Sequence, residues 1–246
     1  MQYLKYNDGR SAKLTAFTLK IIALSAMLFD HVAVVFPDIF PFWFRGIGRL
    51  AYPIFVFLLA EGFRHTKSPE KFLTRLLAFA LISEIPYDIV MGNEINFLAN
   101  TNIFYTLFLG GTAIWLYERL KKRHGWQTMA VLAALLPTAI VAESISTDFG
   151  GMGVLFIFAV YAIKPKVARL TAMVIFALSQ FIPLVAAYSM GIEIPAQYLL
   201  MIPFALAAVP IVALYNGERG IKAKWLFYWA YPVHLAVLTV AIMMIN

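Results

Sequence analysis

An aspartate and a histidine stand side by side at Asp30-His31, inside a long apolar run of a chain that has only 4 histidines. Imidazole titrates near neutrality and a neighbouring carboxylate can orient it, so the pair reads as a general base with its orienter. Arg45 and Arg49 follow four residues apart, on one helix face. Glu84 and Asp88 repeat that spacing around Pro86. Asp148 closes an acidic connection that begins at Glu143, and His234 sits in Tyr231-Pro232-Val233-His234, where the proline should kink a helix and free carbonyls. A second set, Glu61, Arg64 and His65, lies within i+3 and i+4 reach.

Each of these has a structural reading beside the functional one. The carboxylates and arginines can knit helices together as ion pairs, Glu61 with Arg64 can be an interfacial salt bridge, and His234 can be a satisfied core histidine. What raises them all to candidates is their setting, because ionisable groups at bilayer depth are costly and mark function by default.

That setting follows from composition. The chain is 62% hydrophobic and only 13% charged, with mean hydropathy +0.78, whereas soluble domains carry roughly 25% charged residues. It is expected to be an all-α bundle in a membrane, one domain over residues 1–246. No cysteine is present, which excludes disulfides, thiolate metal sites and a cysteine nucleophile. The polar start MQYLKYNDGRSAK, followed by an apolar run that carries Lys20, Asp30 and His31, does not read as a cleaved signal peptide.

Nine segments have the length and apolarity of spans: Leu14–Phe36, Ile47–Phe63, Phe72–Met91, Ile103–Leu120, Trp126–Ala142, Phe149–Ile163, Ala168–Tyr188, Gln197–Tyr215 and Trp225–Ile245. The sixth is the weakest, since Gly150, Gly151 and Gly153 shorten it. Basic residues test the count. Lys5, Arg10 and Lys13 precede the first span; later clusters are Arg64 to Arg75, Arg119 to Arg123, Lys164 to Arg169 and Arg219 to Lys224. The connections Gly92–Asn102, Glu143–Asp148 and Gly191–Ala196 hold no Lys or Arg. By the positive-inside rule this alternation predicts nine helices, N-terminus in and C-terminus out. The net charge of +7 is thus topological, and no nucleic acid is expected as a partner. Lys20 can snorkel. Arg45 and Arg49 sit on the side the rule disfavours. Trp43, Trp126 and Trp225 read as aromatic-belt anchors in contact with membrane lipid.

No Gly-x-Ser-x-Gly elbow, His-Glu-x-x-His or Walker loop is present, so hydrolysis through serine or zinc is not expected and no metal site is predicted. Histidine acid/base chemistry and proton-coupled transport or flipping through the same carboxylates both stay open. Transporters usually show broken helices in two matching halves, and no paired repeat is visible. A non-catalytic assembly factor for pili or envelope complexes is a third class.

Leu19 to Leu24 with Met27 and Asp30-His31, the run Arg45 to Phe55, and Leu59-Ala60-Glu61-Gly62-Phe63 closely resemble the TraX family. So do Leu81 to Tyr87, Asn102 to Gly110, Asp148 to Leu155, Tyr215-Asn216-Gly217 and Tyr231 to Leu235, so that the resemblance covers nearly the whole chain. The family is named for the enzyme that N-acetylates conjugative pilin and is similar to the wider transmembrane acyltransferases. The resemblance implies an acetyl-CoA-dependent transferase in the bacterial cytoplasmic membrane, with His31 as the essential histidine at the extracytoplasmic side. Under it, Asp30 is expected to orient His31, and Arg45 or Arg49 to stabilise the oxyanion. Arg64, Lys67, Lys71 and Arg75 are expected to hold coenzyme A phosphates, with Arg49 deeper along the donor's path. The acceptor, a pilin N-terminus, a sugar or another envelope molecule, is not written in these loops.

Overall fold

A computed structural model describes residues 14–124, 127–199 and 201–245. Lys5, Arg10, Lys13 and Trp126 of the reading above lie outside the described residues, as do the side chains of Lys122 and Arg123. The described chain is a bundle of α-helices: α1 (Ala16–Val35), α2 (Trp43–Gly48), α3 (Ala51–His65), α4 (Pro69–Met91), α5 (Ile103–His124), α6 (Gln127–Ser144), α7 (Gly150–Ala162), α8 (Lys166–Ser179), α9 (Ile182–Ser189), α10 (Met201–Ala213) and α11 (Lys224–Ile245), with a 3-10 turn at Ala196–Tyr198.

Every apolar segment is helical, but two of the expected spans are broken in a way proline explains. A proline cannot bond the carbonyl four residues back and its ring crowds that carbonyl. Pro53 is four residues beyond Arg49, where α2 gives way to α3, and Pro183 is four beyond Ser179, where α8 ends. Pro86, Pro137, Pro210 and Pro232 lie inside helices that continue through them.

Among the described residues, four stretches are long and apolar enough to cross a bilayer: 16–35, 43–65, 166–189 and 224–245. Shorter apolar helices cover 128–144, 150–162 and 201–213. The 13 residues of α7 rise only about 20 Å, and its buried face packs against α3, α5, α6 and α8. The α5–α7 approach depends on Gly110, whose added Cβ would stand 2.4 Å from Ile157 Cδ1. Small residues at such crossings let helix backbones close up where lipid gives no hydrophobic drive.

The basic residues gather at one end. Arg64 Nη2 donates to the carbonyls of Val160 and Tyr161, 3.0 and 2.7 Å away, at the C-terminus of α7. Lys166 Nζ donates to Ala213 O of α10 over 2.9 Å. Arg119 pairs with Glu70 at 2.7 Å. Cations here satisfy exposed carbonyls and meet the negative ends of helix dipoles. At this same end the segment after α10 clips the start of α1, with Ala16 N–H donating to Glu218 O over 2.9 Å. The opposite end carries the C-termini of α1 and α4 and the starts of α5 and α7, and the candidate site lies there.

Candidate active site

His31, near the C-terminus of α1, meets His234 of α11 although 203 residues separate them. His31 Nδ1 lies 2.7 Å from His234 Nε2, the rings are 4.9 Å apart and tilted by only 15°, and His234 Nδ1 lies 2.8 Å from the Ala230 carbonyl. For two neutral imidazoles these contacts assign the protons. A carbonyl only accepts, so His234 carries its proton on Nδ1; its Nε2 must then accept, and His31 must donate from Nδ1. The Nε2 of His31 keeps its lone pair. Pro232 two residues away belongs to the same turn of α11, and Tyr231 packs edge-on to both imidazoles, at 6.1 and 5.4 Å.

His31 is 6% exposed and lines a cavity of about 400 Å³ to which α1, α2, α3, α4, α5, α8, α9, α10 and α11 all contribute. Arg45, Arg49, Asp30, Asp148 and Tyr52 stand in the same wall. Asp30 does not orient the imidazole, which corrects the expectation above. Successive residues on a helix point about 100° apart, so Asp30 turns to α2 and its C-terminal end, where its Oδ2 accepts from Arg49 Nη2 at 3.3 Å and its Oδ1 makes an ion pair with Arg45 Nε at 2.8 Å without hydrogen-bond geometry. The orienting partner of His31 is His234 instead. Both helix breaks open onto this cavity. Arg49 sits at the α2–α3 break and Gln180 and Phe181 at the α8–α9 break, so the irregular backbone that proline creates is placed where it lines a space rather than lipid.

Gly48 allows Asp30 its place. A Cβ there would come 2.4 Å from Asp30 Cβ and 2.6 Å from its Cγ. Gly48→Ala is therefore expected to push Asp30 out of the two-arginine fork while the helices persist. The check is thermal unfolding in detergent; a fall of a few degrees in melting temperature is expected, and an unchanged melting curve would show that the fork is dispensable to the fold.

The other outer carboxylates fall into two kinds. Glu84 and Asp88 are fully buried but do not reach the cavity. Asn102 donates to Glu84 through both backbone and side chain, and Asn96 N–H donates to Asp88 Oδ2 over 3.0 Å. Between them they fasten the 92–102 connection onto α4, a structural task. Asp148 is different. Its side chain is accessible from within the cavity yet ringed by protein, and no side chain among the described residues pairs with it. Burial pushes its carboxyl up to about 6, with Arg49 and Arg45 opposing and Asp30 adding to the rise.

At the basic end, Glu61 is the hub. It accepts from Arg64 and, over 2.8 Å, from Arg169 Nη1, and lies 3.7 Å from His65. Arg64 is thus spent on Glu61 and the α7 carbonyls, which corrects its expected place among phosphate ligands. Arg75 packs against Phe72 and Tyr228 and donates weakly to the Tyr228 hydroxyl at 3.4 Å. Lys67 and Lys71 are exposed and have no ion pair among the described residues. Arg49 lies in the His31 cavity, away from this end.

Reasoning from spacing missed three site tyrosines, Tyr52, Tyr87 and Tyr231, all buried in the cavity wall. Tyr52 stacks on Phe149 with centroids 3.6 Å apart and planes 5° from parallel. A buried hydroxyl on an otherwise apolar helix was the available signal.

A family model described as TraX protein matches residues 16–242. The chain is also 28% identical over 251 residues to a protein of Dichelobacter nodosus described as probable fimbrial assembly protein FimC, serogroup H1, covering 97% of this chain and 100% of that relative. No solved structure matches it.

Proposed function

The chain belongs to the TraX family, and from that premise and the His31 cavity we propose that it is an acetyl-CoA-dependent acetyltransferase of the bacterial cytoplasmic membrane, acting on an amine or hydroxyl at the extracytoplasmic side. The orientation it requires is the one charge predicts: nine spans, the basic end in the cytoplasm and the His31 cavity toward the outer face.

The hydrogen-bond chain from the Ala230 carbonyl through His234 to His31 carries this reading. It supplies a neutral imidazole with a defined tautomer in a cavity with two guanidiniums. His31 Nε2 takes the acceptor's N–H or O–H proton as the acceptor's heteroatom bonds the acetyl carbon. The C–S bond of the thioester then breaks, and the proton passes from His31 to the departing thiolate. Arg45 and Arg49 each keep N–H donors beyond those given to Asp30, and these stabilise the charge that develops on the acyl oxygen. Tyr52, Phe149 and Phe176 give the cavity an aromatic wall beside these groups.

For the donor, Lys67 and Lys71 are the cations left for its phosphates, with Arg75 adjacent. Incubating the purified full chain with radiolabelled acetyl-CoA and a panel of peptide, sugar and lipid acceptors tests the reading. Label transferred to an acceptor is expected; solute movement in liposomes with no transfer would support the proton-coupled transporter instead. Glu84 and Asp88, the relay carboxylates of that alternative, are engaged with the 92–102 connection, although one oxygen of each has no hydrogen-bond partner among the described residues.

His234 acts through His31, so its replacement should be graded by what can accept a hydrogen bond. His234→Leu is expected to slow transfer by about 10- to 100-fold and to shift the pH-rate profile. His234→Gln, whose amide oxygen can take the His31 Nδ1 proton, should recover most of the rate. Equal loss in both variants would mean that His234 only packs.

A further inference from the structure

A second cavity of about 360 Å³ adjoins the first at the ends of α6 and α8 and the start of α7. Asp148, Phe149, Gln180 and Pro183 line both, so the two spaces share a wall. Glu143, Asp148, Ser146, Thr147 and Ser179 line the second beside Phe149, Met152 and Pro183, and it contains no lysine or arginine in a chain of net charge +7. Glu143 is partly committed, its Oε2 accepting from Gly151 N–H over 2.9 Å at the start of α7. Thr147 is 5% exposed and its hydroxyl has no hydrogen-bond partner among the described residues. A buried donor and acceptor left unmatched in a polar cavity points to a ligand group.

We propose that this second cavity docks the acceptor by a cationic group, with Asp148 as its counter-ion and Thr147 as a hydrogen-bond partner, and so delivers the reacting atom through the shared wall to His31. The inference rests on the acetyl-transfer reading. Charge supports it: Asp30, Asp148 and Glu143 are three carboxylates against Arg45 and Arg49, so one negative charge is unmatched until a cation arrives. Both guanidiniums already hold Asp30, which leaves Asp148 to the ligand.

Saturation-transfer NMR on the purified full chain in detergent, with no acyl donor, tests it. The probes are glycylglycine amide, which carries an α-ammonium, and N-formyl-glycylglycine amide, which is neutral. At pH 7 the cationic probe is expected to bind at least about fivefold more strongly than the neutral one. Asp148→Asn should abolish the difference, and Asp38→Asn, on an exposed loop, should keep it. Equal binding of both probes, or a difference that survives Asp148→Asn, would overturn the proposal.

Should Asp148→Asn not fold, the wild type decides by pH. Since burial holds the Asp148 carboxyl up at about 6, cation binding should rise about tenfold from pH 5 to pH 7 as it ionises. The charged and titratable groups facing it are Arg45, Arg49, Asp30, Tyr52, Tyr87, Tyr231, His31 and Glu143, and replacing His31 removes the one imidazole among them. The rise should persist in His31→Gln; a flat profile there would overturn the assignment to Asp148. Binding is read without turnover. Loss of transfer in His31→Gln with cation binding intact therefore separates a failure of this site from a failure of the acetyltransferase reading.

Discussion

His31→Ala is expected to lose acetyl transfer by about 10³-fold or more while keeping its helices and most of its thermal stability. The size follows from what is removed. A positioned general base contributes typically 10² to 10⁴, and in the proposed reaction the same ring also returns the proton to the thiolate, so its loss removes both transfers at once. Stability should change little, because His31 gives up one hydrogen bond to His234 and its loss leaves His234 Nε2 beside a cavity that water can enter. The measurement is transfer of label from acetyl-CoA, made beside size-exclusion and melting curves in the same detergent. Turnover at the wild-type rate in a folded His31→Ala protein would remove the imidazole from the mechanism.

Much of this site was legible before any coordinates because the bilayer makes charge conspicuous. Asp30, His31, Arg45 and Arg49 stand out against apolar neighbours, and all four do line one cavity. Their pairing was not legible. Helical periodicity says that Asp30 and His31 diverge by about 100°, but which neighbour each meets depends on how α2 and α11 dock, and the partner of His31 is 203 residues away. Adjacency in sequence suggested the wrong orienter for that reason. The proline breaks were half legible: Pro53 and Pro183 mark where a helix must start, yet hydropathy runs through both and merges the pieces into single spans. The tyrosines of the wall were hidden by their type, since a tyrosine in an apolar run looks like an interfacial anchor until its burial is known.

Charge at the basic end was legible in number and misleading in use. A cluster that fixes topology looks the same in sequence as a cluster that grips phosphate. Only contacts separate them. Arg64 answers four acceptors at once, the Glu61 carboxylate and the carbonyls of Val160, Tyr161 and Ile163, and Arg169 reaches the same Glu61 oxygen. The ends of α3, α7 and α8 are thereby tied through one carboxylate, which makes Glu61 a larger structural liability than any cation around it.

Glu61→Ala is accordingly expected to cost the protein roughly 3 kcal/mol, within the range seen when one partner of a buried ion pair is removed. Its side chain is 16% exposed and those of Arg64 and Arg169 are 25% and 17%, so water compensates only in part for the lost carboxylate. Two guanidiniums would then face each other without a counter-ion. For a chain of this size that loss corresponds to a fall of about 6 to 12 °C in melting temperature, read by thermal unfolding in detergent. Lys71→Ala, at an exposed residue with no ion pair among the described residues, should leave the melting temperature unchanged. A second substitution distinguishes charge from packing. Adding Arg169→Met to Glu61→Ala removes one of the stranded cations and should recover part of the stability, because an apolar replacement of a buried pair is far less costly than half of one. A double variant no more stable than the single would mean that Glu61 contributes through shape, and a single variant melting with the wild type would mean that these helix ends are held by their apolar contacts alone.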